Sequence, residues 1–146
     1  MVHQKAVGDR TTLAVMLGLT ELGYSVSVPF GENTRYDLIV ESDGPLERVQ
    51  CKTGRLRNGV ILFRTSSTYA HHPNPKYRQR HYRAQIDSFA MYCPQTSGVY
   101  LIPVERLPAD TASLRVSAPR NGQQKLIRST SDYEIAAVSV QAAEAL

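Results

Sequence analysis

The sequence predicts an α/β domain built on a mixed β-sheet, and three observations carry that prediction. The chain opens with a helix-like stretch. Period-two apolar alternation follows it in several short runs. The order of elements is then helix, three strands, a basic excursion, and further strands with helical cover, which suits one layered core. At 146 residues, with 42% hydrophobic and 21% charged residues, one globular domain is expected.

Asp9 to Gly23 reads as the helix. Leu13, Met16, Leu17, Thr20 and Leu22 form its approximate apolar stripe, Asp9 is the expected N-cap and Gly23 the expected stop. Tyr24 to Phe30 alternates and reads as a strand, with Tyr24, Val26, Val28 and Phe30 on one face. Arg35 to Val40 is the second strand, Ser42 to Pro45 a turn, and Leu46 to Thr53 the third strand, with Val49 and Cys51 facing the core. Asn58-Gly59 marks a turn before a strand over Val60–Arg64.

Ser66 to Pro75 reads as a loop, and Lys76 to Ala84 as either a short helix or an extended basic segment. Ile86–Tyr92 and Gly98–Val104 are strand-like, Val104–Asp110 a proline-bearing loop, and Ala112–Ser117 an edge strand. The alanine-rich end, from Asp132 on, fits a closing helix, while Tyr133–Val140 also fits a strand. Tyr92 and Tyr100, on apolar runs, are expected in the core.

No apolar run approaches the roughly 20 residues of a membrane span, and the polar N-terminus lacks a signal-peptide pattern. Cys51 and Cys93 show no metal-ligand spacing, so both are expected reduced, in a cytoplasmic protein with no membrane partner.

Net charge is +4, but its distribution says more. From Thr53 to Ile86 there is no acid, while Arg55, Arg57, Arg64, Lys76, Arg78, Arg80 and Arg83 all fall there. The remaining ten basic and thirteen acidic residues leave the rest of the chain at −3. Charge segregated in this way suits a polyanion, with nucleic acid the first candidate. The plainer reading is a solvated basic loop. Arg55, Arg57 and Arg64 follow the third strand and are expected to touch phosphates. Lys76, Arg78, Arg80 and Arg83, interleaved with Tyr77 and Tyr82, suit an arm that tracks a backbone. His71 and His72 are adjacent and diverge in most backbones, which disfavours a zinc site.

Asp37 heads the second strand, while Gln50 and Lys52 share one face of the third. An acid, an amide and an amine converging at a hairpin are parts of a metal-dependent phosphodiesterase site. Asp37 supplies a hard anionic oxygen, Gln50 a neutral one and the backbone carbonyl of Cys51 a further one. Lys52 can orient a water or neutralise developing charge.

These residues resemble the PD-(D/E)xK nuclease superfamily. Asp37 stands at the family's first acid, Gln50 at its second and Lys52 at its lysine, while Tyr36 replaces the proline of the name. The phrases Gly8-Asp9-Arg10, Tyr36-Asp37-Leu38-Ile39-Val40, Val49-Gln50-Cys51-Lys52-Thr53, Ile86 to Pro94 and Val99 to Val104 resemble the branch of intron-encoded homing endonucleases with glutamine at the second acid. Archaeal Holliday-junction resolvases and restriction endonucleases are more distant members.

The resemblance covers roughly residues 4–105, so residues 1–146 are expected to form one nuclease domain with a C-terminal extension over 106–146. It implies a restriction-endonuclease-like mixed sheet flanked by helices and Mg²⁺, with Mn²⁺ as a substitute. The implied partners are double-stranded or branched DNA and further copies of the chain, in a homodimer or homotetramer. Resolvase-like members carry a metal-binding Glu early in the first helix; here Thr12 stands near that place, with Asp9 or Glu21 as substitutes.

With Thr12 and Gln50 both uncharged, a second expectation is a DNA-binding module without catalysis. A third is a protein-binding module whose basic face meets an acidic partner. Asp87 precedes a strand as Asp37 does, and is expected to pair with an arginine of the basic arm.

Overall fold

The computed structural model describes residues 3–31, 34–68, 79–81, 85–117 and 128–139. Helix α1 (Gln4–Glu21) comes first, followed by strands β1 (Ser25–Ser27), β2 (Leu38–Glu41), β3 (Glu47–Thr53) and β4 (Arg55–Arg57). Next are β5 (Val60–Arg64), β6 (Ser66–Thr68), β7 (Gln79–His81), β8 (Ser88–Cys93) and β9 (Gly98–Pro103). Strands β10 (Thr111–Arg115) and β11 (Glu134–Ala137) complete the set. No helix among the described residues is long and apolar enough to cross a membrane.

A six-stranded sheet in the order β1-β2-β3-β8-β9-β11 forms the centre. It is mixed: β3 and β8 run parallel, and its other pairs are antiparallel. Helix α1 covers one face, where Ala14, Val15 and Leu19 pack with Val49, Cys51, Ala90 and Val99. A smaller sheet, β10-β5-β4, covers the opposite face through Ile61, Phe63, Ala112 and Leu114, which meet Phe89, Met91 and Ile102. The predicted α/β class holds, with one α-helix among the described residues and a second sheet where helical cover was expected.

Helix α1 starts at Gln4, so Asp9 is not its N-cap; it lies inside the helix and pairs with Lys5 one turn before it at 3.4 Å. The buried face is Thr11, Ala14, Val15, Gly18 and Leu19, not the predicted leucine stripe. Leu13, Leu17 and Leu22 are exposed. Small residues let the helix lie close on the sheet, and the close-packed side is therefore not the most hydrophobic one. Gly23 ends the helix as expected, with a left-handed backbone.

Strand β1 is shorter than Tyr24–Phe30. Pro29 has no N–H for a ladder, and Val28 and Phe30 lie exposed beyond the last paired residue, Ser27. The Asn58-Gly59 turn is a two-residue hairpin between paired Arg57 and Val60, with both central residues at positive φ. Ser66–Thr68, expected in a loop, pairs with Gln79–His81, which settles that part of the basic segment as extended; residues 69–78 and 82–84 lie outside the described residues. At the chain's end the strand reading holds over Glu134–Ala137, the sixth strand of the main sheet. Tyr92 and Tyr100 are buried as expected, the first donating to the Val138 carbonyl at 2.8 Å.

Strand β3 hands the chain from one sheet to the other. It runs in the central sheet to Thr53, and β4 begins in the small sheet at Arg55. Gly54 sits between them, its N–H bound to the Tyr92 carbonyl at 2.8 Å. A Cβ there would run into the Met91 sulfur and come within 2.7 Å of the Ile61 Cγ2, so a larger residue would force the Met91 and Ile61 side chains to move.

Candidate active site

The site follows from unequal strand lengths. Strand β2 pairs with β3 only from Val40↔Glu47 to Leu38↔Val49. Beyond Val49 the β2 side of β3 has no strand against it, and the backbone groups there need other partners. Asp37, one residue ahead of β2, provides one: its carboxylate accepts the Cys51 N–H at 2.8 Å, and its own N–H donates to the Val49 carbonyl at 2.8 Å. In an extended strand a residue's N–H and C=O point to the same edge. The Cys51 carbonyl therefore opens toward Asp37.

Burial alternates along β3 as predicted. Val49 and Cys51 are buried against α1, and Gln50 and Lys52 lie half-buried on the other face. The Lys52 ammonium donates to the Ser66 carbonyl at 3.4 Å and lies 5.9 Å from the Phe89 ring centroid.

Both charges are incompletely compensated. Burial raises the Asp37 carboxyl above the ordinary range, against the lowering effects of the Cys51 N–H and the Lys52 charge. Burial lowers Lys52; Asp37 works against that, while Arg35 and Arg64 add to it. The Cys51 thiol is pushed up by burial and then by the Asp37 charge, with the Thr12 hydroxyl pulling the other way. It is no thiolate nucleophile.

The residues singled out from the sequence divide sharply. Asp37, Cys51 and Lys52 are brought together, and Gln50 shares the face of Lys52. Thr12 lies beside the Cys51 side chain and donates to the Gly8 carbonyl of its own helix at 3.1 Å. Asp9 is held by Lys5 on exposed ground, and Glu21 is exposed at the far end of α1. Arg55, Arg57 and Arg64 are exposed on the small sheet. Lys76, Arg78 and Arg83 lie outside the described residues, as do His71 and His72; Arg80 lies on β7, where only its backbone is described. Among the described residues no group of three or more His, Cys, Asp or Glu side chains is gathered.

Asp87 carries a correction. Its partner is Arg48, at the start of β3, and not an arginine of the basic arm: it accepts the Arg48 N–H at 2.7 Å and the Arg48 Nε at 3.3 Å. The parallel pairing of β3 with β8 puts Val49 opposite Ser88, which places the two preceding residues side by side.

Two further residues emerge only from the structure. Arg35, two residues before Asp37, is half-buried, hydrogen-bonded through Nε to the Gln85 amide oxygen, and close enough to act on Lys52. Thr11 is buried on α1 and shares a 2.6 Å hydroxyl–hydroxyl hydrogen bond with Thr53, fastening the helix to the end of β3. The one signal for Arg35 was its place at the head of the second strand. An open groove of about 760 Å³ lies beyond, lined by Gln4, Val7 and Gly8 of α1, Thr53 and Gly54, and Arg55, Leu62 and Arg64 of the small sheet. It does not include Asp37; Arg64 is the link, since it lines the groove and acts on Lys52.

Compared with protein families, residues 2–136 match the profile of the PD-(D/E)XK endonucleases. The chain belongs to that family. Among solved structures it is similar to a bacterial homing endonuclease, I-Ssp6803I, at 20% identity and a TM-score of 0.72, covering 91% of this chain and 89% of that one. That likeness establishes a shared restriction-endonuclease-like fold. No curated protein matches. The match to the family runs past residue 105 and takes in both β10 and β11.

Proposed function

We propose that the chain is a divalent-metal-dependent DNA endonuclease acting through Asp37, Gln50 and Lys52. The observation that carries this reading is the half-buried Asp37 carboxylate, held by the Cys51 N–H at the open side of β3 and under-compensated by Lys52, in a chain of an endonuclease family. A carboxylate that burial disfavours, beside a backbone carbonyl on the same edge and an amide, is a hard oxygen donor set suited to Mg²⁺, or Mn²⁺ in its place. Asp37, the Cys51 carbonyl and Gln50 would hold the ion. Bound there, it supplies Lewis-acid polarisation of the scissile phosphate and a more acidic water.

The chain's own residues do the rest. The Cys51 N–H fixes one Asp37 oxygen and so orients the carboxylate. Lys52 donates to a non-bridging phosphate oxygen or orients the attacking water, and its tether at the Ser66 carbonyl limits its swing. Arg64 and Arg35 add positive potential where charge develops. Arg55 and Arg57, exposed on the small sheet, extend that potential along the duplex. One site cuts one strand, so cleavage of both strands of a duplex or junction calls for two copies related by a two-fold axis.

The test is cleavage of supercoiled plasmid, linear duplex and a four-way junction by purified protein with Mg²⁺, Mn²⁺ or EDTA, beside Asp37→Ala. Metal-dependent cutting lost in the variant is the expected result. Cutting that survives Asp37→Ala comes from elsewhere and removes this assignment. A second reading, a DNA-binding module without catalysis, is favoured by the single carboxylate and by Thr12 in the helix position. It predicts salt-sensitive binding that chelation leaves unchanged.

A further inference from the structure

We infer that the exposed face of the β10-β5-β4 sheet reads base edges in the major groove of B-form DNA and selects the sequence to be cut; the cutting rests on the nuclease reading, the binding does not. The inward positions of this sheet, Ile61, Phe63, Ala112 and Leu114, are buried against the central sheet, so the alternate positions form one outward face. The register aligns them in rows. Arg55, Leu62 and Ser113 make one row, and Arg57, Val60 and Arg115 the next. Arg64 beside Thr111 closes the face at the end nearest Lys52.

The composition of this face distinguishes base reading from phosphate contact. A backbone-tracking surface needs only cations. Here arginines alternate with hydroxyls and aliphatic side chains, and no acid stands in any row. Arginine pairs with the O6 and N7 of guanine, a hydroxyl pairs with several base edges, and an aliphatic group meets the thymine methyl. Leu62, 42% exposed amid arginines, has no role in phosphate binding but suits that methyl.

The dimensions agree. Adjacent strands at about 4.8 Å spacing form a two-stranded ribbon that the major groove, about 12 Å wide, admits, with the third strand at its rim. Five residues at about 3.3 Å each follow roughly five base pairs at about 3.4 Å per step. Gly54 joins this sheet directly to the catalytic strand, with Arg55 three residues on from Lys52. That separation, at most about 10 Å, places the read block about three base pairs from the cut. A second copy of the chain is the poorer occupant, because stacking this face on itself sets arginines against arginines.

The test begins with the purified full chain and a randomised duplex library, bound in EDTA at physiological salt and sequenced, then challenged with Mg²⁺. Arg57→Lys, Arg115→Lys and Leu62→Ser are run in parallel with circular dichroism as a folding control. Lysine keeps a phosphate contact and loses bidentate reading. The wild type is expected to enrich a common sequence. Each arginine variant should lose roughly tenfold preference at one or two positions with an unchanged salt slope, and Leu62→Ser should lose preference at a thymine. Absence of enrichment overturns the inference, as does an unchanged consensus in the lysine variants. So does a change in oligomeric mass on Arg57→Lys without any change in DNA selection. Enrichment without cutting sinks the nuclease reading and leaves this one standing; cutting without sequence preference does the reverse.

Discussion

Asp37 and Asp87 stand just ahead of β2 and β8, and each accepts a backbone N–H of β3, from Cys51 at 2.8 Å and from Arg48 at 2.7 Å. Each has a cation beside it, yet their carboxyls move in opposite directions. At Asp87 burial pushes upward, but the Arg48 guanidinium, its N–H and its charge together hold the group below the usual carboxylate range. At Asp37 burial prevails over the Cys51 N–H and Lys52. Lys52 is itself weakened by burial and by Arg35 and Arg64. One aspartate is satisfied and fastens β8 to β3. The other is short of positive charge, the condition in which a cation or a substrate-bound ion gains most from arriving.

The largest break in this comparison comes from Asp37→Ala or Lys52→Ala. Each should lower cleavage by at least about 10³-fold, since several kcal/mol of charge stabilisation disappears at 1.36 kcal/mol per tenfold. Single-turnover kinetics on a cut substrate measures it, with circular dichroism showing the fold intact. Asp87→Ala should do the opposite. It should cost about 1–2 kcal/mol of stability, the value of a charge-assisted hydrogen bond discounted for partial exposure, and leave turnover per folded molecule within about twofold. Urea unfolding reads the first quantity, and active-site titration the second.

A smaller effect sharpens the contrast. Asp37→Asn combined with Lys52→Met removes two half-buried charges while an acceptor remains for the Cys51 N–H. Stability should rise by about 1–2 kcal/mol, as when buried ion pairs yield to neutral groups, in a protein without cleavage. The matching change at Asp87 and Arg48 should destabilise. A loss of stability in the Asp37 double variant would show that the pair is structural like its counterpart.

Why was one half of this comparison legible in the sequence and the other not? Alternation along β3 fixes which side chains share a face, so Gln50 and Lys52 were placed from spacing alone. The edge that makes the site depends on β2 beginning only at Leu38, opposite Val49, while β3 runs on to Thr53, and strand ends leave little trace in composition. Charge segregation points Asp87 toward the basic arm, whereas Arg48 reaches it only through the parallel β3–β8 register. Arg35 depends on Gln85, fifty positions away. On α1 hydrophobicity favours Leu13 and Leu17 as the inner face, while close packing favours Thr11, Ala14 and Gly18. The loop reading of 66–68 missed a pairing whose partner strand carries no apolar alternation.

The pH dependence of stability and of rate brings the two aspartates into one experiment. Asp87, depressed when folded, lends stability that is present above the unfolded carboxylate pKa and lost as pH falls through its lower folded value. Asp37, raised when folded, works in reverse. Between the unfolded carboxylate pKa and its raised value the folded chain holds a proton that the unfolded chain has lost, so stability falls as pH rises through that window. Asp87→Asn should therefore flatten the acid limb of the stability curve, and Asp37→Asn should remove the opposing slope above it. Cleavage should follow Asp37 alone among the two. At sub-saturating metal its acid limb should lie above the ordinary carboxylate range and move to lower pH as metal is raised, because a proton competes with the metal, and the alkaline limb should lie below the ordinary lysine pKa as the lowered Lys52 loses its charge. Asp87→Asn should leave both limbs of the rate profile in place. Movement of the acid limb in that variant would mean that Asp87 reaches the site through β3, and the division between a fastening carboxylate and a working one would fail.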